Sequence, residues 1–134
     1  MHDKITLLLI TTAPTHKMMW HAVRLAHALQ QQQRPVKVFF YQDAVSIANA
    51  LTWQPDDQCN LQQQWQQLGI DLPVCVSAAL GRGICDAENA QRHGLNQHCS
   101  QSNGSPSNLA QGFRLVGLGE LADAMTQAHR VLQF

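Results

Sequence analysis

The chain has 134 residues, a formal net charge of zero and a pI near 7. This length suits one domain with a substantial core, so we expect a single domain over residues 1–134. Charged residues make up only 13 % of the chain, and without a basic block a phosphate-tracking, nucleic-acid-binding surface is disfavoured. With no signal peptide and no apolar run of membrane-spanning length, we expect a cytoplasmic protein whose cysteines stay reduced.

The first third of the chain predicts a strand, a helix and a second strand. Residues 4–11 form a continuous apolar run, which is typical of a strand covered on both faces. Apolar residues then recur at helical spacing between Met19 and Leu29, and Pro35 ends that helix. Residues 36–41 are rich in β-branched and aromatic side chains and predict the second strand.

The middle of the chain predicts two helices and a third strand. Residues 42–51 indicate a loop leading into a short helix, with Asp43 as its N-cap. A second helix is predicted over residues 61–68, and Gly69 ends it. Residues 72–76 are apolar and predict the third strand.

The last third continues the alternation. A polar helix is predicted over residues 85–93 with Asp86 near its start, followed by a Ser/Asn/Gly/Pro-rich loop over residues 97–108. The remaining elements are a strand at 113–116, a helix at 119–127 and a closing strand at 129–134. The alternation predicts an α/β fold, a three-layer α/β/α arrangement with a mostly parallel sheet of about five strands.

Cys75 is the first candidate functional residue, because it lies near the carboxyl end of the third predicted strand. In open α/β sheets, sites lie just beyond the carboxyl ends of strands. Residues 77–80 follow as a turn or short helix. A thiol at such a place can be exposed, near backbone N–H groups and a cation, and these conditions stabilise the reactive thiolate. The alternative is a small buried hydrophobe, and the residues alone leave both interpretations open.

The other three cysteines are weaker candidates. Cys59 and Cys99 are interpreted as incidental surface thiols, whereas Cys85 at a predicted helix start is either a second reactive thiol or a packing residue. No two cysteines form a C-x-x-C pair, which disfavours a zinc knuckle or a thioredoxin-type redox pair. The seven histidines lack the paired spacing of zinc sites, so we predict neither a metal nor a cofactor.

Arg82 is the second candidate residue, because it stands between Gly81 and Gly83 shortly after Cys75. The glycines let the backbone approach a partner closely, and the guanidinium can stabilise an anionic sulfur on Cys75. The alternative is an exposed arginine in a turn. Asp43 and Asn49 can border the same cleft, although capping and turn roles are favoured for both.

Several segments, taken in order, resemble the DsrE-like sulfur-relay family over nearly the whole chain. The segment Cys75 to Gly83, which reads CVSAALGRG, resembles the active-site segment of that family. The other segments are FFY at 39–41, WQQL at 65–68, NLAQGF at 108–113, GLG at 117–119 and RVLQF at 130–134. Gly81 stands where the family has a second arginine, and the loop at 97–107 is longer than usual.

The resemblance implies a sulfurtransferase without a cofactor. Cys75 would accept sulfane sulfur as a persulfide from an upstream carrier protein and pass it to a downstream carrier, with the wobble uridine of certain tRNAs as its destination. Arg82, Gly81 and Gly83 would support that cysteine. The partners implied are two related, smaller sister subunits in a heterohexamer, with no stable binding of tRNA itself and no membrane.

Three other functions remain as alternatives. The first is a role in intracellular sulfur oxidation, which the residues do not distinguish from a role in tRNA thiolation. A non-catalytic assembly subunit of the same fold, with Cys75 merely buried, is the second. A flavodoxin-like nucleotide binder is disfavoured, because residues 11–14 contain no phosphate-cradling loop.

Overall fold

A computed structural model describes residues 4–95 and 107–134. Within them, five strands form one sheet: β1 (Thr6–Ile10), β2 (Val36–Phe40), β3 (Leu72–Cys75), β4 (Phe113–Val116) and β5 (Arg130–Gln133). Their spatial order is β4-β3-β2-β1-β5, and every neighbouring pair is parallel. The parallel sheet predicted from the alternation of elements is therefore confirmed.

Helices connect these strands: α1 (Lys17–Gln31), the 3-10 helix η1 (Gln42–Ala48), α2 (Leu61–Gln67), α3 (Val76–Leu80), α4 (Ala87–Arg92) and α5 (Leu118–Gln127). The crossover through α1 moves from β1 to β2, whereas the crossover through α5 returns to the other side of β1. Because such crossovers are right-handed, α1 and α5 cover opposite faces, which gives three layers. Among the described residues, no helix has both the length and the apolar character needed to cross a bilayer.

One predicted N-cap is wrong, and one predicted helix begins two residues later than expected, for identifiable reasons. Asp43 is not an N-cap, because η1 begins one residue earlier and the carboxylate of Asp43 bonds to Arg82 instead. The helix predicted from residue 85 begins at Ala87, because the N–H of Cys85 is held outside the helix by Asn108. Asp86 is its N-cap and accepts a hydrogen bond from the N–H of Asn89 at 2.8 Å. The predicted loop at 97–108 lies mostly outside the described residues.

The core explains why β1 and β3 are continuous apolar runs. Leu7, Leu8 and every residue of β3 are buried, because helices and loops cover the sheet on both faces. Trp65 on α2 packs edge-on against Phe40 of β2, with ring centroids 5.1 Å apart. Burial of each large apolar side chain contributes about 1.5–3 kcal/mol, so this core supplies most of the stability that fixes the ends of the strands.

An ion-pair cluster ties together the amino ends of β3 and β4 and the first turn of α5. The guanidinium of Arg114 donates to both carboxylate oxygens of Asp71, at 2.7 and 2.6 Å, and to both oxygens of Glu120 at 2.8 Å. These hydrogen bonds hold the pKa of Asp71 and the pKa of Glu120 below their usual values. Arg114 therefore stabilises two carboxylates in the folded state.

We predict that Arg114→Gln lowers the free energy of unfolding at neutral pH by roughly 1 kcal/mol, since it removes two partly exposed charge-assisted contacts. A carboxyl whose folded-state pKa is lowered contributes stability above its unfolded pKa, and that contribution is lost as the pH falls through the folded value. The difference between variant and wild type should therefore be complete above about pH 5 and shrink below about pH 4. Urea unfolding across this pH range measures it.

Arg92→Gln is the matched control, because Arg92 pairs only with the exposed Glu88 within α4 among the described residues. This substitution should lower the free energy of unfolding by a few tenths of a kcal/mol at most, because an exposed i,i+4 ion pair usually contributes about 0.3–0.5 kcal/mol. A loss for Arg114→Gln that is as large under acid conditions as at neutral pH would contradict the assigned role of Asp71 and Glu120.

Candidate functional site

Cys75 is the last residue of β3 and the N-cap residue of α3. It pairs with Val116 of β4, and its backbone is extended, with φ −60° and ψ 119°. Only 1 % of the residue is exposed, so of the two settings that the residues left open, exposed and buried, the structure shows the buried one. Cys75 belongs to the hydrophobic core, and η1 packs against β3 and α3, the two elements that meet at this residue.

The segment after α3 turns sharply and returns to the core. Gly81 is the C-cap residue of α3, and Gly83 has a φ of +77°, a left-handed conformation that favours glycine. Ile84 is buried, and its N–H donates to the carbonyl of Ala79 at 2.9 Å. The turn is therefore anchored on both sides of Arg82, whose side chain extends toward η1.

The guanidinium of Arg82 makes two hydrogen bonds in the described part of the chain, and neither is to Cys75. Its Nη1 donates to the carbonyl of Ala78 at 3.0 Å, and its Nη2 donates to Oδ1 of Asp43 at 2.8 Å. The side chains of Arg82 and Asp43 are 36 % and 69 % exposed, so this ion pair is partly in contact with solvent. The structure thus brings Arg82 and Asp43 into contact, whereas a direct role of Arg82 toward the sulfur stays a prediction.

Asn108 joins three segments near this turn, and the sequence analysis did not single it out. Its Nδ2 donates to the carbonyl of Gly83 at 3.0 Å and to Oδ1 of Asn49 at 3.3 Å. Its Oδ1 accepts from the N–H of Cys85 at 2.9 Å. Asn49 also has the turn role favoured from the sequence, because its Oδ1 accepts from the N–H of Leu51 at 2.9 Å. Asn108 ends a polar stretch rich in turn-forming residues, so no sequence pattern distinguished it from its neighbours.

The remaining cysteines lie in different surroundings. Cys59 is exposed and lines a cavity of about 500 Å³ together with Trp20 and Trp53. Cys85 is half-buried and precedes α4, and Cys99 lies outside the described residues. Across residues 4–95 and 107–134, no group of three or more histidine, cysteine, aspartate or glutamate side chains is placed to hold a metal ion.

We predict that Asn108→Ala lowers the free energy of unfolding by roughly 1–3 kcal/mol, because it removes the acceptor for the partly buried N–H of Cys85 and the donor to the carbonyl of Gly83. Asn108→Asp is the matched variant, since it keeps an acceptor for the N–H of Cys85 and loses the donor, so its loss should be smaller. Chemical unfolding measures both. A loss for Asn108→Ala below about 0.5 kcal/mol, the scale of an ordinary surface substitution, would contradict the joining role.

The amino-acid sequence of this chain is similar to those of known proteins over most of its length. The chain is 45 % identical over 103 residues to a sulfurtransferase TusD homolog of Vibrio vulnificus, covering 74 % of this chain and 72 % of that protein. It is 42 % identical over 118 residues to the sulfurtransferase TusD of Salmonella arizonae, covering 84 % of this chain and 85 % of that one.

Solved structures show the same fold. The ychN protein of E. coli superposes with a TM-score of 0.70 at 24 % identity, covering 99 % of this chain and all of that chain. A protein of unknown function from Methanobacterium thermoautotrophicum superposes with a TM-score of 0.64 at 12 % identity and 98 % coverage of this chain. At these identities the likeness concerns the fold alone. The model of the DsrE/DsrF-like family matches residues 3–134, and the chain belongs to this family.

Proposed function

We propose that this chain is a sulfurtransferase subunit of the sulfur relay that leads to 2-thiolation of the tRNA wobble uridine. The observation that carries the proposal is the place of Cys75, a thiol at the carboxyl end of β3 and at the start of α3, in a chain similar to sulfurtransferases over most of its length. Sites in parallel α/β sheets lie at this edge.

The chemistry requires one thiol and no cofactor. The Cys75 thiolate attacks the outer sulfur of a donor persulfide, the donor's S–S bond breaks, and its electron pair leaves with the donor thiolate. The new S–S bond leaves Cys75 as the persulfide, with no net oxidation or reduction. A thiolate on the downstream carrier then attacks the outer sulfur of Cys75 in the same way, and Cys75 returns to its thiolate.

The partners follow from the same proposal. The subunit works with TusB-like and TusC-like sister subunits in a heterohexamer and exchanges sulfur with upstream and downstream carrier proteins in the cytoplasm. The exposed apolar side chains of Leu51 and Trp53, the latter 81 % exposed, support burial of this surface in an assembly. The net charge of zero supports sulfur exchange with proteins rather than lasting contact with tRNA.

A second candidate function is a non-catalytic assembly subunit of the same fold. The burial of Cys75 favours it, because a thiol that is 1 % exposed resembles an ordinary core residue. The two candidates differ in one measurable property, which is whether Cys75 accepts sulfur.

We predict that Cys75→Ser abolishes sulfur loading, because a hydroxyl cannot form the persulfide. The purified chain, assembled with its sister subunits, is incubated with a persulfide donor and digested with trypsin. Loading appears as a mass increase of about 32 Da, one sulfur atom. No lysine or arginine lies between Lys37 and Arg82, so Cys59 and Cys75 fall in one tryptic peptide.

Cys59→Ser is therefore the matched control, and it should load as the wild type does. Loading that survives in Cys75→Ser would reject Cys75 as the carrier. Loss of loading in both single variants would show that the assay does not isolate Cys75. Wild-type protein that takes up no sulfur, yet assembles with its sister subunits, would support the non-catalytic alternative.

A further inference from the structure

The lysines and arginines of this chain fall into two groups. Residues 4–42 contain five of them and no aspartate or glutamate, whereas residues 43–134 contain four of them and eight aspartates and glutamates. In the second group, Arg82, Arg92 and Arg114 each pair with a carboxylate. In the described part of the chain, no member of the first group has a carboxylate partner. The first segment therefore carries positive charge that contacts within the described residues do not neutralise.

Part of this positive charge lies on the solvent side of α1. Lys17, Trp20, His21 and Arg24 are exposed and spaced three or four residues apart, so they share one face of the helix, which we call the α1 face. The guanidinium of Arg24 lies over the ring of Trp20, 4.7 Å from its centroid. Within the described residues, its N–H groups make no hydrogen bond. A cation that is held in place with unused donors suits a carboxylate of a second molecule.

The cavity of about 500 Å³ beside Cys59 adjoins the α1 face, and Trp20 belongs to both. No charged side chain lines this cavity, and its polar lining consists of amides, hydroxyls and the exposed thiol of Cys59. Trp53, which is 81 % exposed, forms part of its wall. Tryptophan is enriched at the anchor sites of protein interfaces, and charged residues are depleted from their centres. The cavity therefore suits an apolar side chain of a second protein.

We propose that the α1 face and this cavity together bind an acidic segment of a partner protein. An apolar side chain of that segment occupies the cavity, and its carboxylates pair with Lys17 and Arg24. The inference gives a chemistry to the partner that the exposed Trp53 implies, and it does not depend on sulfur transfer by Cys75.

The charges around the cavity set the direction of the bound segment. The exposed Asp56 and Asp57 follow Pro55 of the cavity wall, and they repel carboxylates on that side. The acidic residues of the partner therefore lie on the side of α1. A protein fits better than RNA, because two lysine and arginine side chains on the α1 face are too few to neutralise a run of phosphates.

The test uses the full chain and a fluorescein-labelled peptide, a short run of glutamates that ends in a leucine. Two matched peptides replace the glutamates by glutamine or the leucine by serine. Fluorescence anisotropy should show that both matched peptides bind more weakly than the glutamate peptide. Raising the sodium chloride concentration from about 0.05 to 0.5 M should weaken the glutamate peptide and leave the glutamine peptide unchanged. No binding of the glutamate peptide up to about 1 mM, or equal binding of the glutamine peptide, would overturn the proposal.

Arg24→Gln should weaken binding of the glutamate peptide about two- to fivefold, the factor that corresponds to one exposed ion pair. It should leave binding of the glutamine peptide unchanged, whereas a general disturbance of α1 would weaken both peptides. Arg24→Lys keeps the charge and should retain most of the affinity. Arg92→Gln is the matched control, because it removes an exposed arginine of α4, and it should bind the glutamate peptide as the wild type does. Equal weakening by Arg92→Gln would contradict the assignment to the α1 face.

The thiol of Cys59 reports on occupation of the cavity. Bound glutamate peptide should slow the alkylation of Cys59 by iodoacetamide, located by fragmentation within the tryptic peptide 38–82. The peptide with serine in place of leucine should protect the thiol less. An alkylation rate that saturating glutamate peptide leaves unchanged would show that the leucine binds elsewhere, and the proposal would fail.

Two other occupants are tested in the same way. A single-stranded oligoribonucleotide that binds more tightly than the glutamate peptide would assign the surface to RNA and overturn the proposal. A dimer of the chain in sedimentation analysis that Arg24→Gln dissociates would assign it to a second copy, with the same consequence. None of these measurements uses sulfur loading of Cys75, so this proposal and the proposed function fail separately.

Discussion

The parallel sheet is the constraint on which the rest of the structure depends. Because every neighbouring pair of strands is parallel, the carboxyl ends of β1, β2, β3 and β4 meet at one edge. The segments that follow these strands all begin at this edge, where they form hydrogen bonds with neighbouring strands and loops. The N–H of Tyr41 donates to the carbonyl of Ile10 at 2.8 Å, which sets where η1 begins. Cys75 lies at this edge as the last residue of β3 and is buried there.

Two arginines of this chain use their charges differently. Arg114 donates to both oxygens of two carboxylates, a geometry that combines charge with fixed direction. Arg82 donates one hydrogen bond to one carboxylate, and such an exposed pair contributes about 0–1 kcal/mol. In a chain with few charges, the strong cluster thus joins β3, β4 and α5, whereas the pair of Arg82 with Asp43 adds little to stability.

The sequence predicted the features that depend on local pattern. The apolar runs of β1 and β3 indicate buried strands, and Asp86 indicates a helix start, because each depends on neighbouring residues. The burial of Cys75 and the partner of Asp43 depend on contacts between distant segments. Asp43 and Arg82 are 39 positions apart, and Asn108 and Asn49 are 59 apart. No periodicity or capping rule connects such pairs, so only the fold reveals them.

A covered thiol and a sulfur-relay role fit together if the docking of a carrier protein exposes the thiol. A persulfide that is always exposed would lose its sulfur to any passing thiol, whereas one that is permanently buried could not pass it on. A carrier protein that docks with micromolar affinity supplies about 8 kcal/mol of binding free energy, and part of it is available to expose Cys75. Exposure of Cys75 would then follow the arrival of a carrier rather than chance collision.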